Sequence, residues 1–189
     1  MKNKAAYILT GGFSRRFGNP KCTADFNGRP MLESVAASLD PVFENIYQVG
    51  KKQYGGLPFV ADSREVQNPL AGIVTALEHG SADWIFVIAC DLPLVDRQVI
   101  ERLGREIGDD AQAVLPEVAG QLQFACAFYR RDLSELFKHE LDAGNYAVHR
   151  LVARIRHKAV LFPAADQRFL NVNTPADMEQ AVNIKKGRD

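Results

Sequence analysis

Three short stretches carry residues whose types and spacing suit phosphate chemistry. The first runs Leu9-Thr10-Gly11-Gly12-Phe13-Ser14-Arg15-Arg16-Phe17-Gly18-Asn19-Pro20-Lys21. Gly11 and Gly12 let the backbone approach a ligand closely and turn its N–H groups toward an anion. Ser14, Arg15, Arg16 and Lys21 then put three fixed positive charges in one loop, the donors that a triphosphate needs. The stretch fits neither the phosphate-loop pattern GxxxxGKS/T nor the dinucleotide pattern GxGxxG. A solvated, charged surface turn has the same composition, and residue types alone do not separate the two readings.

The second stretch is Ala89-Cys90-Asp91-Leu92-Pro93, where a carboxylate follows directly on the most apolar run of the chain. A lone carboxylate there is placed to hold Mg²⁺ through oxygen, or else to cap the turn into the next helix. Asp62 follows another short apolar run and has the same two readings. The third stretch is Asn171-Val172-Asn173-Thr174-Pro175. Its two asparagines, one residue apart on an extended segment, face the same way; their local alternative is to organise the entry to the last helix. Pro69-Leu70-Ala71-Gly72 offers small residues at a helix start, where a flat base has room to lie.

Positioning these stretches requires alternating strands and helices. Apolar runs predict strands over Ala5 to Leu9, Val42 to Val49, Pro58 to Ala61 and Trp84 to Cys90. Further strands are expected over Ala111 to Leu115 and Gln123 to Tyr129 around a turn at Gly120, with brief ones at Val160 to Phe162 and Phe169-Leu170. Helical spacing links Met31, Val35 and Leu39 after Pro30. It also links Leu70, Ile73, Val74 and Leu77 up to a left-handed stop at Gly80, and then Val95, Ile100, Leu103 and Ile107. Shorter helices are expected over Asp132 to Leu141 and Tyr146 to Val152. The last helix opens at Thr174-Pro175-Ala176-Asp177, with a cap hydroxyl, a first-turn proline and a carboxylate near the positive helix end. This alternation predicts one α/β domain over 1–189 with a mostly parallel sheet, 185–189 being a frayed tail. Ligand residues then belong at the carboxyl ends of the strands.

Composition narrows the partners. Lys plus Arg and Asp plus Glu each number 23, a formal net charge of zero. Nothing in that balance favours bulk nucleic acid or an anionic membrane. No apolar run approaches a membrane span or a secretory signal. Cys22, Cys90 and Cys126 are odd in number and widely spaced, as expected for reduced, buried thiols of a cytoplasmic protein. His79, His139, His149 and His157 lack metal-ligand spacing and are expected on solvated helix faces, and no GxSxG nucleophile elbow is present.

Taken in order, these stretches resemble the molybdenum cofactor guanylyltransferases of the MobA type. Leu9 to Lys21 matches LAGGxSxRMGxxK, Asn68 to Gly72 matches GPLAG, Cys90 to Pro93 matches CDxP, and Asn171 to Asp177 matches NVNTPxD. Departures are Thr10 for Ala, Pro20 for Asp, Asn68 for Gly, Val49 where an Asn is expected, and Phe124 after Gln123 where the family commonly has Pro. The resemblance implies a three-layer sandwich around a Rossmann-like, GT-A-like nucleotidyltransferase sheet. It implies GTP held by Leu9, Thr10, Gly11, Gly12, Lys21, Asp62 and Asp91. Arg16 and Lys21 would act on the phosphates, Asp91 would hold Mg²⁺, and Asn171 and Asn173 would face the molybdopterin acceptor. The family joins GMP to the terminal phosphate of molybdopterin and releases pyrophosphate. A cytoplasmic monomer with transient contacts to molybdopterin-delivering and molybdenum-insertion proteins is the corresponding expectation.

Overall fold

Trp84–Ala89 is apolar at every position because both of its faces are covered. In a computed structural model of the protein, which describes residues 5–11, 20–62 and 64–188, this strand, β6, lies inside an eight-stranded sheet. The other strands of that sheet are β1 (Ala5–Leu9), β4 (Asn45–Gly50), β5 (Phe59–Ala61), β7 (Ala113–Val118), β8 (Gln121–Leu122), β9 (Cys126–Arg130) and β10 (His157–Phe162). Their order is β10-β7-β9-β6-β1-β4-β5, with β8 paired to β7. Strand β9 runs antiparallel between β6 and β7, and β8 is antiparallel to β7; the remaining pairs are parallel.

Side-chain alternation divides each strand between two cores. Ala6, Ile8, Phe86 and Ile88 face helices α1 (Met31–Leu39) and α3 (Arg97–Arg105), while Tyr7, Leu9, Ile85 and Val87 face α2 (Pro69–His79), α4 (Ser134–Asp142) and α5 (Val148–Val152). Helix–sheet–helix is therefore the layering, as the strand–helix alternation predicts. Leu70, Ile73, Val74 and Leu77 form the buried stripe of α2; full burial of such a side chain contributes about 1.5–3 kcal/mol. A third, smaller core joins the hairpin β2 (Asp25–Phe26) and β3 (Arg29–Pro30) to α6 (Pro175–Lys186) through Phe26, Met31, Leu94, Val172 and Ala181.

Several local expectations are corrected. Gly80 is extended (φ −65°, ψ 133°), and its small size serves packing: a Cβ there would stand 2.8 Å from Ile85 Cγ2. Residues 42–44 are not strand, since the N–H groups of Val42 and Phe43 close back onto the Leu39 carbonyl (2.8 and 3.0 Å). Phe169-Leu170 is not a strand either; Gln167–Phe169 is a 3₁₀ turn capped by the Asp166 carboxylate, which accepts from the Arg168 N–H at 3.0 Å. Lys185 and Lys186 belong to the last turn of α6, and His157 sits on a strand. Residues 25–30 form a hairpin, β2 pairing with β3. Asn27 and Gly28 both have positive φ (54° and 85°), which is what an Asn-Gly pair supplies to a two-residue hairpin turn.

The three cysteines are buried and free, as expected, and among the described residues no helix is long and apolar enough to cross a membrane. One close approach is directly testable. A Cβ on Gly50 would collide with Thr10 Oγ1, which is held by donating to the Val49 carbonyl at 3.0 Å. Gly50→Ala should cost about 1–3 kcal/mol in denaturant unfolding. Combining it with Thr10→Ala should recover part of that loss, and a double mutant no more stable than Gly50→Ala alone would remove the contact as the cause.

Candidate active site

Parallel pairing in register brings the carboxyl ends of β1, β4, β5 and β6 to one edge. Leu9 lies opposite both Val49 and Ala89, and Gly50 opposite Ala61. The ladder continues one residue further: Thr10 N–H donates to Val49 O (2.8 Å), Cys90 N–H to Leu9 O (3.1 Å) and Asp62 N–H to Gly50 O (2.9 Å). Thr10, Asp62 and Asp91 therefore emerge from the same edge, where the sequence places its ligand residues.

Lys21 is delivered to that edge from a separate loop. It opens a 3₁₀ turn, Lys21–Thr23, whose next residue, Cys22, is buried in the core against α1. The Lys21 ammonium donates to Asn173 Oδ1 at 2.5 Å and stands 3.4 Å from Asp91 Oδ2. Asn173 is held in place from both sides. The buried Val172 before it donates its N–H to the Asp91 carbonyl at 2.9 Å. After it comes a reciprocal helix cap: Asp177 Oδ2 accepts from the N–H groups of Asn173 and Thr174 (2.9 and 2.7 Å), and Thr174 Oγ1 accepts from Asp177 N–H at 3.2 Å. Three stretches separated by 70 and 82 residues thus meet at one ammonium group.

Opposing influences act on the Asp91 carboxyl. Burial raises the Asp91 carboxyl above its ordinary range, although the neighbouring Lys21 charge and hydrogen bond pull the other way. Among the described residues, no three His, Cys, Asp or Glu side chains cluster as a metal cage.

The remaining expected residues divide. Leu9 is buried, and Gly72 is small because a Cβ there would come within 2.9 Å of Leu9 Cδ2, so the start of α2 packs onto the end of β1. The Thr10 hydroxyl and backbone N–H are both bonded to Val49 O. Gly11 is exposed, with open space where a side chain would stand. Gly12 and Arg16 lie outside the described residues. The Asp62 carboxylate is engaged by Lys51 Nζ (3.0 Å), Arg64 N–H (3.1 Å) and the Thr75 hydroxyl (3.4 Å), so it braces β5 against α2. Asn171 is exposed beside Gln121, Gln123 and Gln180. Lys51, Gly50 and Val172 escaped the sequence reading. Only the strand-end position of Gly50 carried a signal.

Comparison with known proteins agrees with this geometry. The model of the MobA-like NTP transferase domain matches residues 6–160. The chain belongs to this family. A relative from Shewanella sp. (strain MR-4), named molybdenum cofactor guanylyltransferase, is 31% identical, with 93% of each chain covered. A relative from Bacillus cytotoxicus, named probable molybdenum cofactor guanylyltransferase, is 28% identical over 98% of this chain and 100% of its own. The crystal structure of molybdopterin-guanine dinucleotide biosynthesis protein A from Archaeoglobus fulgidus has the same fold (TM-score 0.78, 24% identity, 97% and 99% coverage).

Within this MobA-like transferase the departures from the motif have local causes. Asn68 stands in for glycine as the N-cap of α2, its Oδ1 accepting from Ala71 N–H at 2.9 Å, while its buried Nδ2 has no partner among the described residues. Phe124 is fixed by the buried Tyr129, whose hydroxyl donates to the Phe124 carbonyl at 2.7 Å.

Because the folded-state pKa of Asp91 lies above that of an exposed carboxyl, its ionisation subtracts stability as pH rises through that value. Asp91→Asn should therefore be as stable as the parent, or more so, at neutral pH in the absence of ligands. The gap between the two should close as the pH falls to where Asp91 is protonated, as read by thermal unfolding across a pH series. A destabilised variant at neutral pH would show the Lys21 contact to outweigh burial.

Proposed function

We propose that this MobA-like transferase moves GMP from GTP to the terminal phosphate of molybdopterin, releasing pyrophosphate and forming the molybdopterin guanine dinucleotide cofactor. The observation that carries the reading is the meeting of Lys21, Asp91 and Asn173 at the carboxyl edge of the sheet. The names of the full-length relatives specify the nucleotide and the acceptor.

The acceptor phosphate is already an anion at neutral pH, so the nucleophile needs no general base. Its oxygen attacks the α-phosphorus in line, a new phosphorus–oxygen bond forms, and the bond to the bridging oxygen breaks. That oxygen leaves with the electron pair as pyrophosphate. What the protein must supply is alignment and neutralisation of accumulating negative charge. Lys21 brings a cation whose direction is set by Asn173. Arg16 is assigned to the same phosphates. Leu9 and Gly11 offer the backbone edge along which the nucleotide would lie, and Gly12 is assigned to the same nucleotide.

A single partly buried carboxylate suits Mg²⁺, which commonly takes one or two carboxylates and completes its shell with substrate phosphates and water. Asp91 would hold the ion, and the ion would supply charge neutralisation on the phosphates. Its presence would also relieve the burial cost of ionised Asp91 and leave Lys21 to the substrate. Asn171 and Asn173 mark the acceptor side. The protein would work as a cytoplasmic monomer, with transient contacts to proteins that deliver molybdopterin or insert molybdenum.

Calorimetric titration with GTP, CTP and ATP, each with Mg²⁺, tests the nucleotide. GTP should bind best, and a preference for CTP would redirect the reading to cytidylyl transfer. With molybdopterin as acceptor, Asp91→Asn should lower pyrophosphate release by about 10²–10³-fold, the usual scale for losing one charge-stabilising group. A near-parental rate would remove Asp91 from the reaction.

A further inference from the structure

Positive charge is concentrated in a cleft of about 580 Å³ between hairpin β2–β3, α1, the segment Pro93 to Asp96 and the end of α6. Arg29, Arg97, Lys185 and Arg188 line it against one carboxylate, Asp96, in a chain whose formal net charge is zero. That carboxylate is already committed: Asp96 Oδ1 accepts from Val99 N–H at 3.0 Å as the cap of α3 and stands 3.5 Å from Arg168.

The three arginines have little compensation among the described residues. Arg97 occupies the first turn of α3, the positive end of the helix dipole, where a cation is disfavoured. Its partner Glu101 forms a solvent-exposed pair at 2.7 Å, of a kind worth little. The Arg188 guanidinium reaches the Leu94 carbonyl at 3.5 Å. Asp166, whose acidity Arg188 strengthens, is closed by two contacts from Arg168 (2.9 and 2.6 Å). Arg29 makes no ion pair among the described residues. The walls are firm, because Phe26, Met31 and Leu94 share the small core beneath α6. Like charges held around one concave volume focus a field that an anion relieves.

We infer that this cleft docks an acidic segment of a partner protein. Its donors are long and spread over β3, α3 and the end of α6, with the three arginines exposed, which suits carboxylates distributed along an extended chain better than one compact phosphate. The nucleotide-binding alternative lacks its usual means here: the Phe26 ring is buried, and the Gly28 N–H is turned to Asp25 Oδ2 at 3.4 Å. One wall begins at Pro93, two residues beyond Asp91, so a docked chain lies beside the transfer centre. The surface does not depend on which nucleotide that centre uses.

A fluorescently labelled oligoglutamate peptide titrated into the full chain, followed by anisotropy, tests this. Binding should appear at low salt and weaken at high salt. Arg29→Glu combined with Arg188→Glu should weaken it about tenfold or more, with GTP affinity and thermal midpoint retained. Lys138→Glu, on α4 across the sheet, should leave it unchanged. Absence of binding, or equal weakening by Lys138→Glu, overturns the inference. So does displacement by pyrophosphate or oligothymidylate more readily than by unlabelled peptide, which would make this a small-anion or nucleic-acid cleft.

Discussion

Everything at the candidate active site turns on one ammonium group being held between two distant strands of chain. Lys21 meets Asp91 and Asn173 only because three separate constraints are satisfied at once. Cys22 must be buried to aim the 3₁₀ turn, β6 must end where it does, and Val172 must be pinned to the Asp91 carbonyl. None of these is a polar attraction strong enough to organise the site alone. They are products of packing, and the charges ride on them.

The same packing sets an electrostatic conflict. The strand that presents Asp91 is the most apolar in the chain, so its carboxylate emerges into surroundings that disfavour ionisation. Lys21 relieves this partly, at 3.4 Å. On the proposed reading, a site arranged in this way would be better matched to its occupied state, with a cation and phosphates present, than to its empty one. That is the usual character of pre-organised sites for anionic transition states.

Much of the architecture was legible in local pattern. The apolar run of Trp84 to Ala89, the helical stripe of Leu70 to Leu77 and the Thr174-Pro175 helix start all fall where their spacing places them. Gly80 was legible as a helix stop but not in its geometry, because its need for small size comes from Ile85, which follows in the chain but approaches it only in the fold. Phe169-Leu170 reads as strand by residue type, yet the Asp166 cap turns the chain first. Thr10 and Asp62 stand at strand ends, where ligand residues are expected, and their side chains are bonded to Val49 and to Lys51, Arg64 and Thr75. Such partners lie on other strands and helices and leave no trace in local spacing.

The sequence by itself determined the layer architecture, the glycine-rich opening, the carboxylate at the end of the central strand and the family to which these stretches belong. These depend on periodicity and on the chemistry of neighbouring residues, which act over a few positions. Only the tertiary structure decided that Asp91 and Asn173 meet at Lys21, and that Arg29, Arg97, Lys185 and Arg188 face one cleft. Those outcomes depend on which buried surfaces pack together, and packing joins residues across more than a hundred positions of intervening chain.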